Sequence, residues 1–364
     1  MNSWGKNFRV EIFGESHGKA IGAIVDGVPA GTPIDEAFIV AEMHRRAPGR
    51  SEVSTPRYEA DTPQILSGVK DGFATGAPIG CIISNTDTRS SDYGNFLRPG
   101  HAEWTARLKY GPYTDLAGGG HFSGRLTAPL VFAGALAKSV LAAHGIDIFA
   151  RICQVGSQRD GIDLSSGELD NRIIERLRAT SLKRFAAVDK FEPAFLEEIR
   201  YAFEDGDSVG GCIETVAIGA LAGLGEPFFD SVESTLAALY FSVPAVKGVQ
   251  FGAGFALAAA RGSASNDAIY AEEGKVYTVT NRAGGILGGI ASGMPIISRV
   301  AIKPTASIPK EQDTVEADSL APVKARVRGR HDPCIVPRAV PVIEACTAIG
   351  LLDLLFANLK NGGK

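Results

Sequence analysis

Residues 127–144 constrain the fold most, because they predict a helix that is apolar on nearly every face. Thr127 is a suitable cap, Pro129 falls in the first turn, and Gly145 follows as the residue that ends the helix. A helix without a polar face has to be covered on several sides. No run in the sequence approaches eighteen consecutive apolar residues, so we expect the cover to be protein and expect no membrane span.

The remaining elements are shorter and follow one another irregularly. Strands are predicted at residues 8–13, 20–28, 212–220, 249–255 and 298–302, and helices at 33–46, 166–180, 193–204, 231–241 and 338–359. The first of these helices is predicted to have Thr32 as its cap and Pro33 as its first residue. The absence of a βαβ rhythm favours α+β layers over a doubly wound sheet. No polar linker interrupts the chain, so we predict a single domain over residues 1–364.

The composition is that of an ordinary globular protein, with 45% hydrophobic and 21% charged residues among 364. The formal net charge of −4 and the pI of about 5.9 argue against nucleic acid as a partner. The five cysteines include no Cys-x-x-Cys pair, and the N-terminus has no signal-peptide pattern, which together predict a reduced, cytoplasmic location. The 43 glycines fall in clusters, which predict tight turns and loops that face a ligand.

Three loops combine histidine with glycine or arginine. The richest contains Arg98-Pro99-Gly100-His101, followed by three glycines at 118–120, while His17 and His331 lie in similar surroundings. Consecutive glycines let backbone N–H groups approach a ligand, arginine binds phosphate, and histidine exchanges protons near neutral pH. These loops therefore predict a site that holds an anionic ligand and moves protons on it.

A basic run lies just before His331. Lys324, Arg326, Arg328 and Arg330 alternate with small or apolar residues, a period of two that predicts a strand with four positive charges on one face. The alternative interpretation is a solvated basic surface with no ligand.

The sequence does not favour a metal site or a dinucleotide-binding site. No His-x-x-x-His or Cys-x-x-Cys pair is present, and no acidic cluster has calcium-loop spacing, so we predict no metal site. The glycine-rich segment at 284–289 lacks the G-x-G-x-x-G spacing of a dinucleotide fold. It predicts either two tight turns around Ile286 or a backbone that lies against a ligand.

Taken together, the motifs resemble those of the chorismate synthase family, in that family's order and close to its spacing. They are Phe13-Gly14-Glu15-Ser16-His17-Gly18, Arg98-Pro99-Gly100-His101-Ala102-Glu103, Asp205-Gly206-Asp207-Ser208-Val209-Gly210-Gly211, Asn281-Arg282-Ala283-Gly284-Gly285 and Gly329-Arg330-His331-Asp332-Pro333-Cys334. The resemblance implies a β-α-β sandwich with buried helices between two mainly antiparallel sheets, assembled as a homotetramer. It also implies the anti-1,4-elimination of phosphate from 5-enolpyruvylshikimate 3-phosphate to give chorismate, with reduced FMN and no net redox change, NADPH being a possible reductant.

The resemblance further implies roles for individual residues. His17 would protonate the leaving phosphate, His101 would manage the protonation of the flavin, and Asp332, supported by Ser16, would relay the proton from the substrate ring. Flavin contacts are implied for His121, Phe122, Ser123, Ala245, Gly288, Lys303, Pro304, Thr305, Ala306, Ser307 and Arg330. Substrate or nicotinamide-phosphate contacts are implied for Arg45, Arg46 and Arg125.

The chain departs from the family pattern at two places that bear on cofactors. After the three glycines the family has Arg-Ser-Ser-Ala-Arg-Glu-Thr, where this chain has His121-Phe122-Ser123-Gly124-Arg125-Leu126-Thr127. Glu52 stands where many members have a basic residue. We therefore expect intact chemistry with altered flavin and NADPH binding. A flavin oxidoreductase and a non-catalytic phospholigand-binding protein on the same scaffold are the alternative hypotheses.

Overall fold

A computed structural model describes residues 2–49, 59–86, 94–167, 169–327 and 331–362. These residues form eight α-helices: α1 Glu36–Arg46, α2 Glu103–Tyr110, α3 Thr127–Ala143, α4 Asn171–Ser181, α5 Glu192–Glu204, α6 Val232–Ser242, α7 Gly262–Ser265 and α8 Val336–Lys360. Short 3-10 turns at Ala117–Phe122 and Gly124–Leu126 lead directly into α3.

Two antiparallel five-stranded sheets form the layers. The first, in the order β1-β2-β3-β7-β4, is built from β1 Ser3–Trp4, β2 Arg9–Gly14, β3 Ala20–Asp26, β4 Gln64–Ile65 and β7 Ile79–Ser84. The second, in the order β11-β16-β10-β8-β9, is built from β8 Asp147–Val155, β9 Gln158–Arg159, β10 Gly211–Ile218, β11 Val246–Phe251 and β16 Ile296–Ile302. Small two-stranded hairpins complete the described part: β5 Val69–Lys70 with β6 Phe73–Ala74, β12 Ile269–Glu272 with β13 Lys275–Thr278, β14 Ile286–Leu287 with β15 Ile290–Ala291, and β17 Gln312–Val315 with β18 Pro322–Ala325.

Helices α3 and α8 fill the space between the two sheets. α3 packs on α8, β3 and β2, while α8 packs on β8, β10 and α6. Both are long and apolar enough to cross a membrane by composition, but 78% of the window around α3 and 94% of the window in α8 is buried inside the protein. Their apolar surface is thus used in the core. The predicted α+β sandwich with buried helices is confirmed.

Most predicted elements are present, with shifted ends. The prediction at 127–144 corresponds to α3, and that at 338–359 corresponds to α8. The predicted cap of α3 is wrong: Thr127 is the first residue of the helix, and its hydroxyl donates to the Gly124 carbonyl at 2.6 Å. The predicted start of α1 is wrong: Pro33 forms a β-bridge with Phe73, and the side chain of Asp35 accepts the Phe38 N–H at 3.0 Å as the true cap. Likewise α4 begins only at Asn171, where Asp170 is the cap.

The basic run forms only a short strand within the described residues. β18 ends at Ala325, and the side chains of Lys324 and Arg326 are exposed beside Glu311, at 3.7 and 3.6 Å. This part agrees with the alternative of a solvated basic surface. Arg328 and Arg330 lie outside the described residues.

Candidate active site

A cavity of about 710 Å³ lies where the loops before α2, α3 and α8 meet. Among the described residues, six cationic side chains line it, against two carboxylates. The cations are Arg46, Arg98, Arg125, Lys247, Lys303 and Arg338, and the carboxylates are Glu59 and Asp332. A wall with this excess of positive charge suits a ligand that carries several negative charges.

The three glycines at 118–120 separate His17 from His101. A Cβ on Gly118 would lie 2.4 Å from His17 Nε2, and a Cβ on Gly119 would lie 3.4 Å from His101 Nε2. Gly120 has φ +53° and ψ −132°, a conformation that residues with a side chain avoid. Gly118 is required because a side chain there would collide with His17, and Gly119 is required by its φ of +90°. The loop thereby brings the two predicted catalytic histidines to one wall of the cavity.

His101 lies in a cationic environment. Burial, followed by repulsion from Arg98, Lys303 and His331, lowers the pKa of His101 to about 4, although Glu103 acts in the opposite direction. His101 is therefore neutral at pH 7 in the protein without ligand. An anion bound in the cavity would offset the repulsion and favour the protonated form.

Arg46 and Arg125 share a single buried carboxylate, that of Asp61. Both guanidinium groups bond to Asp61, and Arg46 also donates to Thr127 Oγ1 at 3.1 Å. Burial lowers the pKa of Arg46 to about 10, and the attraction of Asp61 is partly cancelled by repulsion from Arg338 and Arg125. Glu59, a second buried carboxylate, lies 3.7 Å from Arg125, so this part of the wall brings cations and carboxylates close together.

The predicted flavin-phosphate segment at 303–307 lies along the cavity. The Lys303 ammonium donates to the Gly100 carbonyl, and Ser307 Oγ accepts from Arg98 at 3.0 Å. Among the described residues, the buried Thr305 Oγ1 has no hydrogen-bond partner. Ala245 also lines the cavity and has φ +74°, a conformation costly for a residue other than glycine and typical of functional sites.

The residues that depart from the family pattern form an aromatic cluster at the cavity. The rings of His121 and Phe122 stack with centroids 4.1 Å apart, and Tyr110 meets His121 edge-on at 5.5 Å. Ser123 lies next to them and accepts the Arg125 N–H at 3.3 Å, which caps the turn that leads into α3. The stacked, half-buried rings of His121 and Phe122 thus stand where the family pattern quoted above has an arginine, whose charge is fixed.

Asp332 lies at the opening of α8. It is 7% exposed, and its carboxylate accepts from Arg338 Nη1 at 2.7 Å. Arg338 fixes the position of this carboxylate and itself lines the cavity. A carboxylate held in this position can accept a proton from a ligand.

Three predicted site residues within the described part of the chain are not brought to the cavity, and a fourth cannot be placed. Ser16 is fully buried behind it, and Ser16 N donates to the Gly120 carbonyl at 3.1 Å. Arg45 points into the helical core, where it bonds to Glu42 and Glu344. Gly288 lies in the turn between β14 and β15, as the tight-turn interpretation predicted, and Arg330 lies outside the described residues. Their functional roles stay predictions.

Sequence reasoning missed Asp61, Glu59 and Arg338. Arg338 opens a helix six residues after Asp332, and a cation at that spacing was the one signal that could have revealed it. Asp61 had no such signal, since its role depends on Arg125 being folded against it, 64 residues away in sequence.

The sequence and the fold of this chain are similar to those of known proteins. The chorismate synthase family model matches residues 8–356. A chorismate synthase of Korarchaeum cryptofilum is 45% identical over 361 residues, covering 98% of each chain. Another from Methanosarcina mazei is 46% identical over 355 residues, covering 97% of this chain and 95% of that protein. A crystal structure of a chorismate synthase matches with a TM-score of 0.76 and 31% identity, over 99% of this chain and 94% of the other.

Proposed function

Because the chain belongs to the chorismate synthase family, we propose that its cavity performs this family's elimination with reduced FMN held beside the glycines at 118–120. The protein is a lyase of the shikimate pathway that converts 5-enolpyruvylshikimate 3-phosphate into chorismate and phosphate. The family requires a reduced flavin. The identity of that flavin as FMN, the use of NADPH and the residue roles below are our proposals.

The residues around the cavity fit such a cofactor and substrate. His101 Nδ1 and Thr305 Oγ1 are buried without a hydrogen-bond partner among the described residues. Six cations at the wall match the phosphate and carboxylate groups of the ligands. We propose that Lys303, Thr305 and Ser307, with Pro304, Ala306 and Ala245, hold the FMN, while Arg46 and Arg125 hold the substrate. Arg46 is also our candidate for the phosphate of NADPH.

The proposed chemistry assigns three proton movements to three side chains. Reduced flavin would supply, when bound, the electron density that assists cleavage of the C–O bond, with no net redox change. His17 donates a proton to the departing phosphate, which gains negative charge as its C–O bond breaks. Asp332 accepts the proton released when the ring C–H bond breaks and the new double bond forms. His101 would take up one proton at Nε2 from the bound flavin and return it within the same turnover.

The observation that carries this proposal is the position of His17 and His101 on adjacent glycines at a cationic wall. Replacing either histidine by Ala should lower turnover by roughly 10² to 10⁴, the usual range for acid–base groups. The assay is anaerobic phosphate release from the substrate with dithionite-reduced FMN. Near wild-type turnover in both variants would contradict the roles.

The same assay separates the alternative hypotheses. Flavin reoxidation coupled to substrate oxidation would favour an oxidoreductase, and ligand binding without phosphate release would favour a binding protein. An anaerobic titration with NADPH alone, followed by flavin absorbance, tests whether the chain reduces its own flavin. Glu52, the departure that bears on this question, lies outside the described residues.

We also propose three properties of the protein as a whole. They are a single domain over residues 1–364, a homotetramer, and a cytoplasmic location without nucleic-acid or membrane partners. Sedimentation analysis of the purified chain tests the assembly, and a mass different from four chains would contradict it.

A further inference from the structure

Glu103 is a buried carboxylate directly behind His101. It is the first residue of α2, is 7% exposed, and does not line the cavity. Its Oε2 accepts the backbone N–H of Arg98 at 3.0 Å, and its Oε1 accepts Arg98 Nε at 2.8 Å. The carboxylate cannot rotate away without breaking both of these bonds, and Arg98 is itself held by donating to Ser307 Oγ at 3.0 Å.

The two nitrogens of His101 face different surroundings. Nε2 is directed at Gly119 and the cavity, 3.4 Å from where a Cβ on that glycine would be. Nδ1 is buried, has no hydrogen-bond partner among the described residues, and lies 3.9 Å from Glu103 Oε1. Since a carboxylate only accepts hydrogen bonds, it favours the tautomer with its proton on Nδ1. That tautomer leaves the Nε2 lone pair facing the cavity.

Glu103 differs from the other charged groups around His101 in its effect on the protonation of that histidine. After burial, Arg98, Lys303 and His331 disfavour protonation of His101, while Glu103 favours it. Proton uptake at Nε2 creates an imidazolium whose Nδ1–H points at the carboxylate. The 3.9 Å separation is longer than a hydrogen bond, but such contacts commonly shorten when ligands bind.

We propose that Glu103 is a positioning residue for His101, holding the Nδ1–H tautomer so that Nε2 is the atom that takes up and returns a proton. The inference rests on the proposed role of His101. The protons balance: one proton would pass from the bound flavin to Nε2 and back to the flavin, and the Nδ1 proton stays in place beside Glu103.

The first test needs neither cofactor nor substrate. Histidine is labelled with ¹⁵N, and the signals of His101 are identified by their loss in His101→Asn. At pH 7 we expect the wild-type ring to be neutral with its proton on Nδ1. In Glu103→Gln we expect a mixture with the Nε2–H form, restored to Nδ1–H in Glu103→Asp. A wild-type ring that carries its proton on Nε2 would overturn the inference, whatever the variants do.

Glu214→Gln is the matched control. Glu214 is fully buried and paired with Arg151 and Arg299, but it does not line the cavity. Its replacement should lower stability as Glu103→Gln does, while leaving the His101 signals unchanged. A change of the His101 signals in this control would show that lost stability, rather than the Glu103 carboxylate, moves them.

The second test uses turnover and separates this inference from the proposed function. Glu103→Gln should lower kcat by roughly 10- to 100-fold, the range known for carboxylates behind metal-bound histidines, with little change in KM. The kcat–pH profile should shift to lower pH, because the pKa of His101 loses the contribution that raised it. In the His101→Asn background the Glu103 change should have no further effect. Full activity of His101→Asn would refute the role of His101, whereas an inactive His101→Asn with an unaffected Glu103→Gln would refute only the inference.

Discussion

Arg45 and Arg46 are adjacent on α1, yet their side chains lie in opposite kinds of buried charge cluster. Arg45 and Lys138 share the carboxylates of Glu42 and Glu344 in the helical core, two cations with two anions. Burial alone would lower the pKa of Arg45, but attraction by these carboxylates outweighs it and raises that pKa.

The cluster around Arg46 is arranged differently. Arg46 and Arg125 share Asp61, Arg125 also lies 3.7 Å from Glu59, and Arg338 bonds to Asp332. Burial, with repulsion from Arg338 and Arg125, lowers the pKa of Arg46 despite the attraction of Asp61.

The two clusters therefore differ in their placement. The cluster of Arg45 lies in the helical core, whereas the three arginines of the second cluster line the cavity. Adjacent residues of α1 thus belong to a core cluster and to a cavity cluster.

The largest expected effect concerns the balanced cluster. Glu344→Gln leaves Arg45 and Lys138 with only Glu42 between them, an uncompensated charge in a fully buried position. The free energy of unfolding should fall by about 3–5 kcal/mol. Urea denaturation measures it, with Glu175→Gln at the exposed pair with Arg178 as a control expected to lose under about 1 kcal/mol. A loss for Glu344→Gln no larger than the control's would break the comparison.

A middle-sized effect is expected at Arg46. Arg46→Met should weaken substrate binding by about 1.5–3 kcal/mol, the cost of losing a charge-assisted bond, while Asp61 stays paired with Arg125. Calorimetric titration with substrate measures the affinity. Arg45→Met is the matched variant, and it should lose stability with unchanged affinity. Weakened binding in Arg45→Met would instead support the implied ligand contact of Arg45.

The smallest effect concerns the charge that this chain lacks at the aromatic cluster. His121→Arg adds a fixed cation at the cavity and should tighten FMN binding by about 1 kcal/mol, or roughly fivefold. Flavin fluorescence quenching measures it, and His121→Gln controls for loss of the ring that stacks on Phe122. Riboflavin, which lacks the phosphate, should show no gain. An equal gain for riboflavin would mean that the added residue acts through packing.

The sequence predicted those features of the structure that are determined by residues close together in the chain. The helix α3 was predictable because its apolar body and Gly145 are contiguous, and the two histidines were identifiable by the glycines beside them. The start of α1 was mispredicted because Thr32-Pro33 carries a valid local signal that the distant Phe73 overrides. Asp61 and Glu103 matter only through the arginines folded onto them, and no local pattern encodes that.

The contact between the two ends of the described fold has a consequence for biosynthesis. Asp353 in α8 accepts the backbone N–H groups of Lys6, Asn7 and Phe8, across as many as 347 residues. Ribosomes add about 5–20 residues per second, so the segment at residues 6–8 waits roughly 20–70 s for the carboxylate that holds it. During that interval α3 can already pack on β2 and β3, but it lacks α8, the helix that covers its other side. Closure of the layer between the two sheets therefore has to follow synthesis of α8.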